Sequence, residues 1–258
     1  MTPLVFVALA TLVGAIIGSF LNVCIYRLPL GHSIVFPPSA CEVCTRQLSW
    51  YENVPIVSWL LLGARCRTCK ASLSARHPLV EALTALMFGA AAWHYGPSAL
   101  LASRLVFGCA LIVLFAIDFD HHLLPNVITL PGIGVGLAFS VIAEPGWLAS
   151  LIGAVVGGGS LWFIAELYYR VRHEEGLGMG DVKMLAMIGA FIGWQLMLLT
   201  LMMASVTGAL VGLVVIALRK GDMKYALPFG TFLALGAVVA TAIGPGLLGW
   251  YLAFLEPR

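Results

Sequence analysis

The feature that most constrains this chain is its succession of long apolar runs, parted by short polar breaks. A helix that crosses a bilayer needs about 20 consecutive apolar residues, and such runs occupy most of the 258 positions. Charged residues make up 10% of the chain, where a soluble domain carries about 25%. The bulk of the chain therefore belongs in lipid. Spans are expected from Leu4 to Tyr26, Pro78 to Tyr95, Leu100 to Ile117, Leu124 to Ala143 and Trp147 to Tyr169. Met184 to Leu218 is too long for one helix and too short for two. Gly193-Trp194-Gln195 offers a break, leaving a short segment over Val182–Ile192 and a full span over Leu196–Leu218. A last span runs from Leu227 to Leu255. The expected fold is an all-α integral membrane protein with about eight membrane segments.

The basic residues orient it. Of 14 Lys and Arg, six (Arg27, Arg46, Arg65, Arg67, Lys70, Arg76) lie in one polar stretch. Arg170, Arg172 and Lys183 form a second group, and Arg219, Lys220 and Lys224 a third. Cytoplasmic loops concentrate Lys and Arg, so all three groups are expected inside and both termini outside. Residues 1–26 lack a basic start and a small-residue cleavage site, and Arg27 follows the apolar run. They are expected to be a first transmembrane helix, not a cleaved signal. The net charge of +2 is too small to argue for a nucleic-acid partner. Three regions follow: the first helix (1–26), a polar loop (27–77) and a multi-pass core (78–258).

Four of the six cysteines lie in the polar loop as Cys41-x-x-Cys44 and Cys66-x-x-Cys69. Two such pairs at this separation can wrap one tetrahedral zinc with four thiolates. Thiols in a cytoplasmic loop stay reduced, which disfavours disulfides. A closed four-thiolate site has no open position for chemistry, so this zinc would be structural. Cys24 and Cys109 lie in apolar runs and read as packing residues.

Most of the twelve acids sit in loops or turns. Asp118 and Asp120 differ, because they end an uninterrupted apolar run, and Asp181 directly precedes another. Acids inside membrane segments are costly and are functional candidates by default. Two carboxylates held together do not readily both ionise. One can then act as acid and the other as base, which allows peptide hydrolysis without a metal. Gly178-Met179-Gly180-Asp181 adds glycines that admit a substrate backbone. His121 and His122 read as interfacial polar residues. No phosphate-binding loop, zinc-protease helix or serine elbow is present.

These residues resemble the type IV prepilin peptidases, membrane aspartyl proteases of the G-x-G-D class. The resemblance covers most of the chain. It rests on Gly18-Ser-Phe-Leu-Asn-Val-Cys-Ile-Tyr-Arg-Leu-Pro29, on the loop from Pro37-Pro38 to Cys69, and on Arg76-His-Pro-Leu-Val-Glu-Ala-Leu-Thr84. Ile117-Asp-Phe-Asp-His-His-Leu-Leu-Pro-Asn126 is similar to the family's first active-site motif, and Gly178-Met-Gly-Asp-Val-Lys183 to its second. Where the family often has Pro-Asp, this chain has Pro125-Asn126. The resemblance implies Asp118 and Asp181 as the catalytic pair, with Asp120, Gly178, Gly180 and Lys183 as support. It implies removal of a short basic leader from prepilins and type II secretion pseudopilins, at the cytoplasmic face of the bacterial inner membrane. It also implies methylation of the new N-terminus by S-adenosylmethionine. A transporter would instead place acids near the bilayer midplane and show an internal repeat. A zinc-loop scaffold would be indifferent to changes at Asp118 or Asp181.

Overall fold

A computed structural model describes residues 2–41, 43–174, 178–218 and 227–255. The third basic group, Arg219, Lys220 and Lys224, lies outside the described residues, as do Glu42, Glu175, Asp222, Glu256 and Arg258. The described chain is helical apart from its loops. The helices are α1 (Pro3–Arg27), α2 (Val57–Leu61), α3 (Arg76–Tyr95), α4 (Ala99–His121), α5 (Asn126–Ser140), α6 (Trp147–Arg172), α7 (Met179–Leu218) and α8 (Phe229–Leu255). Five of them, α1, α4, α6, α7 and α8, are long and apolar enough to cross a bilayer. The chain divides into two compact units, Met1–Val113 and Leu114–Arg258, and the boundary falls within α4.

In the first unit α1 packs on α3. The approach is close because α1 presents glycines. A Cβ at Gly14 would lie 2.7 Å from Phe88 Cβ, and one at Gly18 would lie 2.7 Å from Glu81 Cα. Without a strong hydrophobic drive in lipid, such backbone proximity is what holds neighbouring helices together. Asn22 Nδ2 donates to the His77 carbonyl at 3.0 Å, tying the C-terminal end of α1 to the N-terminal end of α3.

In the second unit α7 is the centre, with α5, α6 and α8 packed against it. The expected break falls at Gly193, where φ 77° and ψ 170° interrupt the helix; only glycine adopts that conformation readily. Before the break, Met184 through Gly193 are all buried. At about 1.5 Å per residue, Met179 to Ile192 reaches about 20 Å, short of a hydrocarbon core of about 30 Å. A short segment of this kind persists because protein, not lipid, surrounds it. A Cβ at Gly153 of α6 would lie 2.5 Å from the Gly189 carbonyl oxygen, so α6 and α7 meet backbone to backbone. The outer face of α6 keeps exposed Val155, Phe163 and Ile164, an apolar surface suited to lipid.

Several helix ends differ from those the run lengths predict: α4 continues past Ile117 to His121, and two further differences have a local cause. The fourth apolar run is helical only over the 15 residues of α5. Pro125 stands at the N-cap in an extended conformation, and Pro145 follows the turn after Ser140, so neither end can extend. The second basic group is less a loop than a pair of helix ends. Helix α6 continues through Arg172 and α7 begins at Met179. Basic side chains in the last turn of α6 suit its negative end.

Candidate active site and metal centre

The polar loop folds as two near-copies of one knuckle. In the first, Cys41 N donates to Arg46 O (2.9 Å), Thr45 N to Cys41 O (2.9 Å) and Leu48 N to Ser39 O (2.8 Å). In the second, Cys66 N donates to Ala71 O (2.8 Å), Lys70 N to Cys66 O (3.1 Å) and Leu73 N to Ala64 O (2.7 Å). Thr45 and Lys70, each directly after a second cysteine, share a left-handed backbone, at φ 54° and φ 57°. Each knuckle closes on an isolated bridge, Ala40 with Gln47 and Arg65 with Ser72.

The four sulfurs converge to within 4.8 Å of one another. Cys41 Sγ and Cys69 Sγ are 3.8 Å apart, and Cys44 Sγ and Cys66 Sγ 4.0 Å. A tetrahedron of Zn–S bonds near 2.3 Å has edges of about 3.8 Å, so the cluster fits zinc. Its protons also call for a cation. The N–H groups of Cys69 and Thr68 lower the Cys66 thiol to about 6, and those of Cys44 and Val43 lower Cys41. Cys69 accepts the Ala71 N–H yet is pushed up to about 11 by desolvation and by the other three sulfurs. Four thiolates at this spacing need a metal to coexist. Beside the cluster, Glu52 accepts from Arg46 Nη2 (2.6 Å) and Ser49 N (2.9 Å). The Arg46 guanidinium and that N–H lower its carboxyl to about 2. This pins the first knuckle to the turn at Trp50–Asn53. Glu81, ordinary in the sequence, is buried on α3 and accepts the Ile56 N–H at 2.7 Å.

The acid pair lies wholly in the second unit. Asp118 is on the last turn of α4 and is 4% exposed. Asp181 is in the first turn of α7, 9% exposed, with its N–H donated to Gly178 O at 3.1 Å. They are near enough for the charge of Asp118 to act on Asp181. Asp118 Oδ2 accepts two hydrogen bonds from the start of α8, from Thr231 N (2.6 Å) and Thr231 Oγ1 (3.0 Å). Glycines surround the pair. A Cβ at Gly178 would lie 3.5 Å from Asp181 Oδ2, and one at Gly230 would lie 3.0 Å from Asp118 Oδ2. The Leu124 side chain rests between Gly180 and Gly230, filling the space that their missing side chains leave.

Of the residues singled out in the sequence, Asp118, Asp181, Gly178 and Gly180 come together. Asp120 does not. Helix α4 runs on through His121, so Asp120 points away from Asp118 and is exposed. Lys183 reaches α5, where Nζ donates to Asn126 Oδ1 at 2.8 Å. Thr231 and Gly230 escaped the sequence reading. Their one trace is a glycine and a hydroxyl a few positions inside the last apolar run, past Leu227.

Long apolar helices with exposed apolar faces, and two acids buried together at helix ends, define a multi-pass membrane protein with a paired-carboxylate site. The bacterial peptidase A24 N-terminal domain matches residues 12–95, and the type IV leader peptidase family matches residues 105–213. The chain is 38% identical to the prepilin leader peptidase/N-methyltransferase of Pseudomonas aeruginosa, over 98% of this chain and 95% of that protein. Proteins of the same name from Pseudomonas putida (39%; 95% of this chain, 93% of that one) and Aeromonas hydrophila (35%; 97% and 95%) are also similar. No solved structure matches. This chain belongs to the type IV leader peptidase family, and it is a peptidase.

Proposed function

We propose that the chain is a membrane aspartyl endopeptidase acting on type IV prepilins and type II secretion pseudopilins. It removes their short basic leader at the cytoplasmic face of the bacterial inner membrane. Asp118 and Asp181 are the catalytic pair. The observation that carries this reading is their burial together at the ends of α4 and α7, bordered by glycines. One carboxylate takes a proton from a water molecule as that oxygen attacks the scissile carbonyl carbon. The other, protonated, donates to the carbonyl oxygen. Collapse of the tetrahedral intermediate breaks the C–N bond, and a carboxyl proton passes to the departing amine. Zinc on Cys41, Cys44, Cys66 and Cys69 shapes the loop and takes no part in hydrolysis.

The second step is N-methylation of the newly exposed amine. Its support is the name of the relatives and a cavity of about 680 Å³ in the first unit. Buried Asn22 and Glu81 lie on its wall, beside Tyr26 and Trp59. The space, with Asn22 and Glu81 as polar partners, fits a nucleoside-sized donor. When bound, S-adenosylmethionine supplies an electrophilic methyl group. Purified protein in detergent, given a prepilin and S-adenosylmethionine, should release the leader and add about 14 Da to the new N-terminal residue. An intact prepilin after prolonged incubation would reject the peptidase reading; a cleaved but unmethylated one would reject the second step alone.

The membrane face is tested separately. Ser72 is exposed in the polar loop. In Ser72→Cys protein, a membrane-impermeant maleimide should label position 72 only in inverted vesicles, measured against wild type. Labelling of right-side-out vesicles would place the loop outside.

A further inference from the structure

We propose that Thr231 is a positioning residue for the proteolytic site, holding Asp118 through the first turn of α8; this rests on the reading of Asp118 and Asp181 as the catalytic pair. The first N–H groups of any helix lack intrahelical partners. In α8 the N–H of Thr231, third residue of the helix, finds its acceptor 113 positions away, in Asp118 Oδ2. Asp118 thus fills the role of an N-capping side chain supplied by another helix. The Thr231 hydroxyl adds a second bond to the same oxygen. Two donors on Oδ2 fix the carboxylate rotamer and leave Oδ1 for water or substrate. Thr231 is 6% exposed, so no solvent molecule readily replaces its hydroxyl. Gly230 makes the approach possible, since a Cβ there would press on both Asp118 Oδ2 (3.0 Å) and Leu124 Cδ1 (2.9 Å). Beyond Thr231, the charged groups acting on the pair among the described residues are each other and His122, and the substitutions below leave these in place.

A role limited to tying α8 to α4 would affect stability alone. A positioning role moves kcat and the pH profile. Thr231→Val keeps the branched shape and the backbone N–H but loses the hydroxyl donor. It should lower kcat for prepilin cleavage about tenfold with KM changed less than about twofold. The acidic limb of the kcat profile should move to higher pH by roughly half a unit or more. Thr231→Ser, which keeps the donor, should recover most of the rate and the original limb. Gly230→Ala should reproduce the loss of kcat and decides the matter if Thr231→Val does not fold. Wild-type kcat and pH profile in folded Thr231→Val would overturn the inference, as would failure of Thr231→Ser to restore them; if Thr231→Val does not fold, wild-type behaviour of Gly230→Ala overturns it instead. Asp118→Asn and Asp181→Asn run in the same assay separate the two levels. If those retain cleavage, the catalytic pair itself is wrong; if they are inactive while Thr231→Val is unaffected, only the role of Thr231 falls.

Discussion

Replacing Asp118 or Asp181 with Asn should reduce prepilin cleavage by about a thousandfold or more, the scale of losing a general acid or base. Asn preserves the size of the side chain and much of its hydrogen bonding. The Thr231 donors that bind Asp118 can still bind a carboxamide oxygen, so α8 should stay docked and helix content should be unchanged. What Asn lacks is a site for the transferred proton. The two losses should not multiply in the double variant, because both act on one proton-transfer unit. Cleavage against pH should be bell-shaped, with limbs that belong to the pair and not to either residue. Asp120→Asn should change the rate less than about threefold, since Asp120 is exposed on the other side of α4. Leader release is read by mass spectrometry of the freed peptide. Substantial release by either single Asn variant would remove the two-aspartate mechanism.

The second large effect is on the metal. Wild-type protein should hold one zinc per chain, and Cys66→Ser should hold almost none. Structural zinc contributes on the order of 10 kcal/mol to folding of a small metal domain, comparable with the whole stability of an ordinary one. Each knuckle is a ten-residue turn with no apolar core of its own, so losing the metal should unfold the loop and sharply reduce the amount of protein recovered. Cys24→Ser, on a membrane helix, serves as the control and should retain its zinc. Equal zinc contents in wild type and Cys66→Ser, measured by metal analysis of detergent-purified protein, would dismiss the site.

How much of this is legible in the sequence depends on the range of the interaction that fixes it. Helix existence follows from run length and composition, properties of each run alone. So does the interruption at Gly193, where one residue type permits the backbone angle. The shortness of α5 is written in Pro125 and Pro145, but run length masks it. The four clustered cysteines are visible by spacing, whereas the duplication of their knuckles is not. Ser39–Leu48 and Ala64–Leu73 share their two cysteines and a leucine, and the rest of the likeness is in backbone hydrogen bonds. Asp118 and Asp181 attract notice because acids at the ends of apolar runs are out of place. Thr231 does not, because its importance lies in an aspartate 113 positions earlier, and a threonine at a helix start is unremarkable. Lys183 stands in the same motif as Asp181, but its ammonium is committed to Asn126. Adjacency in sequence therefore does not predict which side chains share the site.

Among the described residues, the enclosed first half of α7 sets it apart from the other membrane helices. Met184, Leu185, Met187 and Ile188 have no exposed surface at all. Lipid is a forgiving neighbour that accepts any apolar side chain of passable shape; a close-packed interior is not. For Asp181 to Gly193 the relevant solvent is protein, so fit and not greasiness decides which residues belong there. The carboxylate at the head of this segment is thus carried on a rigid post of the kind found in water-soluble enzymes, set inside a fold whose outer wall obeys the looser rules of the bilayer.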